Sequence, residues 1–118
     1  MSNPPRQKGT RFETALLPWL RDIFGGQVER SALKGVNDRG DYVGVPIIVE
    51  AKAGKRPQVP EWARVTAAKS DDGEWIVVWS GGDARLTNHP GELVIMPKAF
   101  AADLLRAWEW IERTGWHG

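Results

Sequence analysis

Apolar residues recur at helical spacing near the start of the chain, at Phe12, Leu16, Trp19, Leu20 and Ile23. That stripe predicts a helix from Thr10 to about Phe24, stopped by Gly25-Gly26. Pro18 interrupts it, deletes one backbone hydrogen bond and predicts a kink. Residues 27–33 read as a strand, with Val28 and Arg30 on one face and Glu29 and Ser31 on the other. Lys34 to Gly40 is a polar turn, whose two glycines and Asn-Asp pair suit left-handed positions. Asp41-Tyr42-Val43 and the β-branched run Ile47 to Ala53 follow as two strands joined through Gly44-Val45-Pro46. Read as a hairpin, they bring Asp41 across from Glu50.

Pro60 to Ser70 predicts a helix with Trp62, Val65 and Ala68 as its apolar side. Trp75-Ile76-Val77-Val78-Trp79, within Glu74–Ser80, is a continuous apolar run of the kind found in a buried central strand. Residues 84–91 read as loop and Glu92–Met96 as a strand. Pro97 suits the first turn of a last helix that continues to Thr114, before Gly115. Phe100, Leu104, Trp108 and Ile111 line the inner face expected of that helix. The order α-β-β-β-α-β-β-α shows no repeat and no internal boundary. Residues 1–9, with Pro4-Pro5 and Gly9, read as a flexible basic arm ahead of one domain over residues 10–118.

Composition narrows the class. A chain of 118 residues that is 42% hydrophobic and 26% charged is ordinary for one soluble domain. No apolar run approaches the ~18–20 residues that span a bilayer, and the first residues lack an apolar signal segment. With no cysteine there is neither a disulfide nor a thiolate zinc site. These features point to the cytoplasm. The net charge of +1 hides an asymmetry: residues 1–56 carry ten Lys or Arg against six Asp or Glu, and residues 57–118 carry six against nine. A basic first half around an acidic pocket suits a polyanion held on a metal site.

The candidate chemistry lies in residues 41–52. Glu50 and Lys52 are two apart, so in a strand they share a face with Ile48. Two charges on an otherwise apolar strand call for a role. Phosphodiester hydrolysis needs an activated water and charge neutralisation at the phosphate, which Mg²⁺ supplies through oxygen ligands. Asp41 and Glu50 are the expected ligands, with the backbone carbonyl of Ala51. Lys52 is expected beside the attacking water. Glu13 would enter from the first helix as a further acid, through water or directly.

Asp41, then Glu50-Ala51-Lys52, after a helix carrying Glu13, resembles the PD-(D/E)xK nuclease superfamily. Within it the spacing is most similar to small Holliday junction resolvases of the archaeal and phage type. In those a Lys-Gly segment is followed by Glu four residues after the Gly, here Lys8-Gly9 and Glu13, and an Arg stands on the first strand, here Arg30. The likeness covers roughly residues 8–56. The proline that names the motif is absent, and Gly40 precedes Asp41. The resemblance implies a restriction-endonuclease-like fold, a mixed central β-sheet flanked by helices. It also implies a Mg²⁺ or Mn²⁺ cofactor and a homodimer acting on branched DNA, in a prokaryotic or phage-infected cell. Phosphate contacts would come from Arg30, Arg39, Lys34, Lys55 and Arg56.

Other readings stay open. Thr10 and Glu13 fit a capping box, in which Glu13 bonds back to the Thr10 amide. Glu50 and Lys52 fit an exposed ion pair, worth about 0–1 kcal/mol. A linear-duplex nuclease (an exonuclease or a restriction-type enzyme) and a non-catalytic nucleic-acid-binding module are the alternative functions. Of seven tryptophans, Trp19, Trp75 and Trp79 fit the core. Trp110 faces outward from the last helix, with Trp62 and Trp116 undecided between dimer contact, base stacking and partial burial.

Overall fold

The computed structural model describes residues 4–32, 39–82 and 91–116, with side chains from residue 9 onward. Among them run α1 (Pro4–Phe24), β1 (Glu29–Arg30), β2 (Tyr42–Val43), β3 (Ile48–Lys52), α2 (Val59–Lys69), β4 (Trp75–Trp79), β5 (Leu93–Ile95) and α3 (Lys98–Thr114). The order matches the sequence reading and the class is α/β. The expected turn and loop largely fall on residues 33–38 and 83–90, outside the described residues. No helix among the described residues is long and apolar enough to cross a membrane.

α1 corrects the expected arm, since it starts at Pro4 rather than Thr10. Prolines are tolerated in a first turn, where the amide has no intrahelical partner and the fixed φ is already helical. Thr10 therefore lies inside the helix, and the capping box with Glu13 does not form. The helix also runs through Pro18, whose exposed position leaves the freed Thr14 carbonyl to water. Phe12, Leu16 and Leu20 are buried beneath it, each contributing roughly 1.5–3 kcal/mol by leaving water. Trp19, expected in the core, is instead exposed on the flank of this stripe, as is Ile23.

The strands form a two-stranded antiparallel ribbon, β1-β2, and a three-stranded mixed sheet ordered β3-β4-β5. The β1 pairing sets Arg30 opposite Tyr42. This revises the expected hairpin, because β2 ladders with β1 and not with β3. Asp41 joins the two sheets. Its amide donates to the Val49 carbonyl at 2.9 Å, and its carbonyl accepts from the Ser31 amide at 2.8 Å. β3 and β4 run parallel, with Glu50 opposite Val77 and Lys52 opposite Trp79. Parallel neighbours need a crossover, and α2 supplies it.

The core has two parts, one on each face of the sheet. α1 covers Val49, Ala51, Ile76 and Val78 together with Tyr42 and Val28. On the other face Ile48, Trp75, Val77 and Trp79 pack with Trp62 of α2. Trp62 lies 6.2 Å from Trp79, ring centre to ring centre, which settles its place as core. α2 is rotated from expectation. Its buried residues are Trp62 and Thr66, while Ala68 is exposed.

α3 ends as expected at Gly115, whose φ of 71° is left-handed. Its expected inner face is covered only in part, since Phe100 packs on the α1 side of the core and Ile111 is half-buried. No residue of α3 is buried, and Leu104 and Trp108 stand 47% and 60% exposed. Trp110 faces out, as expected, and packs on Trp116 at 5.4 Å between ring centres.

Candidate functional site

The site is assembled at the free edge of β3. In a strand, alternate residues point their amide and carbonyl to alternate edges. The amide of Ile48 and the carbonyl of Lys52 bond toward β4, whereas the Val49 carbonyl and Ala51 amide face Asp41. Asp41 Oδ2 accepts from the Ala51 amide at 2.7 Å. The Ala51 carbonyl lies on that same edge, so the expected backbone ligand and the Asp41 carboxylate face one space. Asp41 and Glu50 are both buried, with Glu50 only 3% exposed.

The two carboxyl groups hydrogen-bond each other. Burial, then the hydrogen bond and negative charge of Asp41, raise the Glu50 pKa to about 7 against a contrary pull from Lys69. Gly40 makes the close approach possible. Its φ is 98°, and a Cβ there would stand 2.8 Å from the Val49 carbonyl oxygen. Proline is locked near −65°. The motif's missing proline is thus excluded by the conformation that lets Asp41 reach β3.

Glu13 lies in a neighbouring pair rather than in this one. Its carboxylate accepts from Arg30 Nη2 at 2.8 Å and Nε at 3.2 Å, and its side chain is largely covered. Arg30 is therefore engaged with Glu13, on the ribbon strand opposite Tyr42. Tyr42 connects the two pairs, since it follows Asp41 and its hydroxyl donates to the Glu13 carbonyl at 2.6 Å. Burial holds the phenol far above its ordinary pKa, followed by the charges of Asp41 and Glu13.

Lys52 shares the Glu50 face as expected, yet its ammonium has no ion-pair partner among the described residues. The lysine on Glu50 is Lys69, whose Nζ hydrogen-bonds Glu50 Oε1 from the last turn of α2. Sequence reading missed it. The signal was present: Trp62, Thr66 and Lys69 follow at i, i+4 and i+7, which puts a lysine on the face that Trp62 buries. Thr66, on the same face, is wholly buried, and its hydroxyl has no hydrogen-bond partner among the described residues.

The expected phosphate contacts are spread along β3. Arg39 is exposed near its start and pairs with Asp71 at 3.2 Å. Lys55 and Arg56 are exposed just beyond its end, and Lys34 lies outside the described residues.

Among the described residues no three His, Cys, Asp or Glu side chains converge as a ready-made metal cluster. The oxygen set that does converge has two carboxylates and one backbone carbonyl. Hard oxygen donors of this kind fit Mg²⁺ or Mn²⁺, which retain waters at their remaining positions. Two acids forced together in a buried place also favour a cation between them. No protein-family model matches the chain, and neither a curated protein nor a solved structure is significantly similar to it.

Proposed function

We propose that this protein is a metal-dependent endonuclease that hydrolyses DNA phosphodiester bonds, with a branched, four-way junction as its substrate. The observation that carries this reading is the buried Asp41–Glu50 pair on the β3 edge, facing the Ala51 carbonyl. The run α-β-β-β-α-β, with β3 and β4 parallel, is in keeping with a restriction-endonuclease-like fold.

Asp41, Glu50 and the Ala51 carbonyl would hold Mg²⁺ or Mn²⁺. A divalent cation there supplies charge neutralisation at the scissile phosphate and a more acidic water. The chain supplies the rest. Lys52 presents an ammonium on the Glu50 face, where it can orient the attacking water and offset charge on the phosphate. Glu13 takes a supporting part: held by Arg30, it sets the charge beside Tyr42 and fixes the position of Asp41 through the ribbon. Arg39 before the acid pair and Lys55-Arg56 after it offer cations on both sides, as a strand of phosphates passing the site requires.

A homodimer matches a two-fold symmetric junction. Support comes from exposed apolar surface. Trp19, Ile23, Val94, Leu104, Leu105 and Trp108 are 42–63% exposed. At ~200 Å² per large side chain that is about 600 Å² of apolar surface. That is most of the ~800 Å² per partner in a standard interface. With α3, Trp19 and Ile23 also border an apolar groove of about 500 Å³.

The test is a cleavage assay on labelled junction, duplex, flap and single-stranded DNA, with Mg²⁺ or EDTA, for wild type and Glu50→Ala. Junction cutting by wild type in Mg²⁺ alone is expected. If nothing is cut with Mg²⁺ or Mn²⁺ at any pH from 6 to 9, the enzyme reading fails. Equal cutting of all duplexes removes the junction and leaves a linear-DNA nuclease. Binding of DNA that survives Glu50→Ala, without cleavage in wild type, makes the protein a non-catalytic binding module.

A further inference from the structure

We infer that Lys69 is a built-in counter-cation of the acid pair, which holds Glu50 in the metal-free protein and competes with a divalent cation for the same carboxylate. The inference rests on the metal-dependent reading above and adds what sets the affinity of that site.

The crossover carries the argument. A parallel β3–β4 pair forces the connecting helix across one face of the sheet, and that is the face of Ile48 and Glu50. The rotation of α2 that buries Trp62 and Thr66 turns Lys69 inward as well. Its Nζ then reaches Glu50 Oε1. Glu50's other polar neighbour is the Asp41 carboxyl group. A cation shared by Asp41 and Glu50 thus enters a space where Glu50 already holds an ammonium. A divalent ion and an ammonium on one carboxylate repel each other, so one must withdraw.

Lys69 is built to withdraw. It is the last residue of α2, and its side chain is 21% exposed where that of Glu50 is 4%. The four-carbon stem can swing the ammonium to water without unwinding the helix. The carboxylate, fixed in mid-strand, has no such freedom. Thr66 adds, on the same helix face, a polar atom with no partner among the described residues. Lys52 lacks the Glu50 contact, so the two lysines have separate tasks: Lys52 is left for the phosphate, and Lys69 holds Glu50.

The experiment is a Mn²⁺ titration at pH 8, followed by the electron paramagnetic resonance signal of free Mn²⁺, on wild type, Lys69→Met and Lys69→Arg. Thermal melts in EDTA and in Mg²⁺ accompany it. Lys69→Met is expected to bind Mn²⁺ about tenfold more tightly, the worth of one charge-assisted hydrogen bond no longer displaced. It should also melt lower in EDTA and gain more from Mg²⁺ than wild type does. Lys69→Arg keeps the charge and should bind Mn²⁺ no more tightly than wild type. If Lys69→Met does not fold, Lys69→Gln retains a donor to Glu50 without the charge and takes its place. Unchanged or weaker Mn²⁺ binding once the charge is removed overturns the competition and leaves the metal site standing. Absence of Mn²⁺ binding in every protein overturns the metal reading, and the inference with it.

Discussion

Glu50→Gln gives the most direct physical test of the acid pair, because it needs neither metal nor DNA. In the folded protein the Glu50 pKa is raised from 4.5 to about 7, first by burial and then by Asp41. The folded protein therefore holds this proton more tightly than the unfolded chain does. Below pH 4.5 the group is protonated in both states and favours neither. As pH rises, the unfolded chain releases the proton first, and folding stability falls until the folded group also ionises near pH 7. One proton over that window amounts to roughly 3 kcal/mol. That is a large part of the ~5–15 kcal/mol that holds a domain folded. Gln cannot ionise, so the variant should lack this slope.

Urea unfolding in EDTA, followed by tryptophan fluorescence from pH 4.5 to 8, measures both proteins. The exposed acids Glu61 and Asp72 have lowered pKa values, from Arg64 and from the Glu74 amide respectively. Their contribution has the opposite sign and is common to both proteins, so the difference curve reports Glu50 together with the Asp41 and Lys69 groups it touches. Wild-type stability should decline relative to the variant between pH 4.5 and 7 and level off above it. Parallel curves would show that Glu50 is not buried against Asp41, and would remove the observation on which the proposed function stands.

Two further outcomes follow from the fold. Gly40→Pro restores the proline of the resembled motif, yet it should unfold the protein or cost more than about 3 kcal/mol, since φ of 98° is closed to proline; a folded, active variant by circular dichroism and cleavage assay would contradict the geometry at Asp41. Trp108→Glu with Leu104→Glu should convert a dimer to a monomer in light scattering with little change in the monomer's own stability, because neither side chain is buried in α3; a wild type that is monomeric at high micromolar concentration would remove the dimer.

Legibility in the sequence varied with the range of the interaction. β4 was plain, because five consecutive large apolar residues leave no face for water, and all five are buried. Asp41 meets β3 without the expected hairpin, because β2 ladders with β1 and Asp41 reaches the β3 edge through its own amide and carboxylate, contacts that alternation along a strand does not announce. Glu13–Arg30 and Glu50–Lys69 were not foreseeable as pairs, because each spans 17 or more residues and depends on how a helix is rotated. The same rotation turned Ala68 out and Thr66 in. The start of α1 is hidden because Pro4 and Pro5 look like breakers by residue type alone, whereas in the first turn of a helix they open it. Leu104 and Trp108 have the pattern of a core stripe, and periodicity alone does not say whether the covering surface belongs to the same chain.

The hydrogen bond from the Ala51 amide to Asp41 has a consequence for how the protein behaves in solution. β3 is an edge strand, and an open edge is a template on which a strand of another molecule can pair. Asp41 closes that edge twice, with its amide on the Val49 carbonyl and its carboxylate on the Ala51 amide. The side chain proposed for metal is therefore also the one that denies β3 to other chains. Replacing it by alanine keeps the backbone bond to Val49 but frees the Ala51 amide on a β-branched edge, so a lost activity in Asp41→Ala carries meaning only beside the fraction of protein that stays in solution.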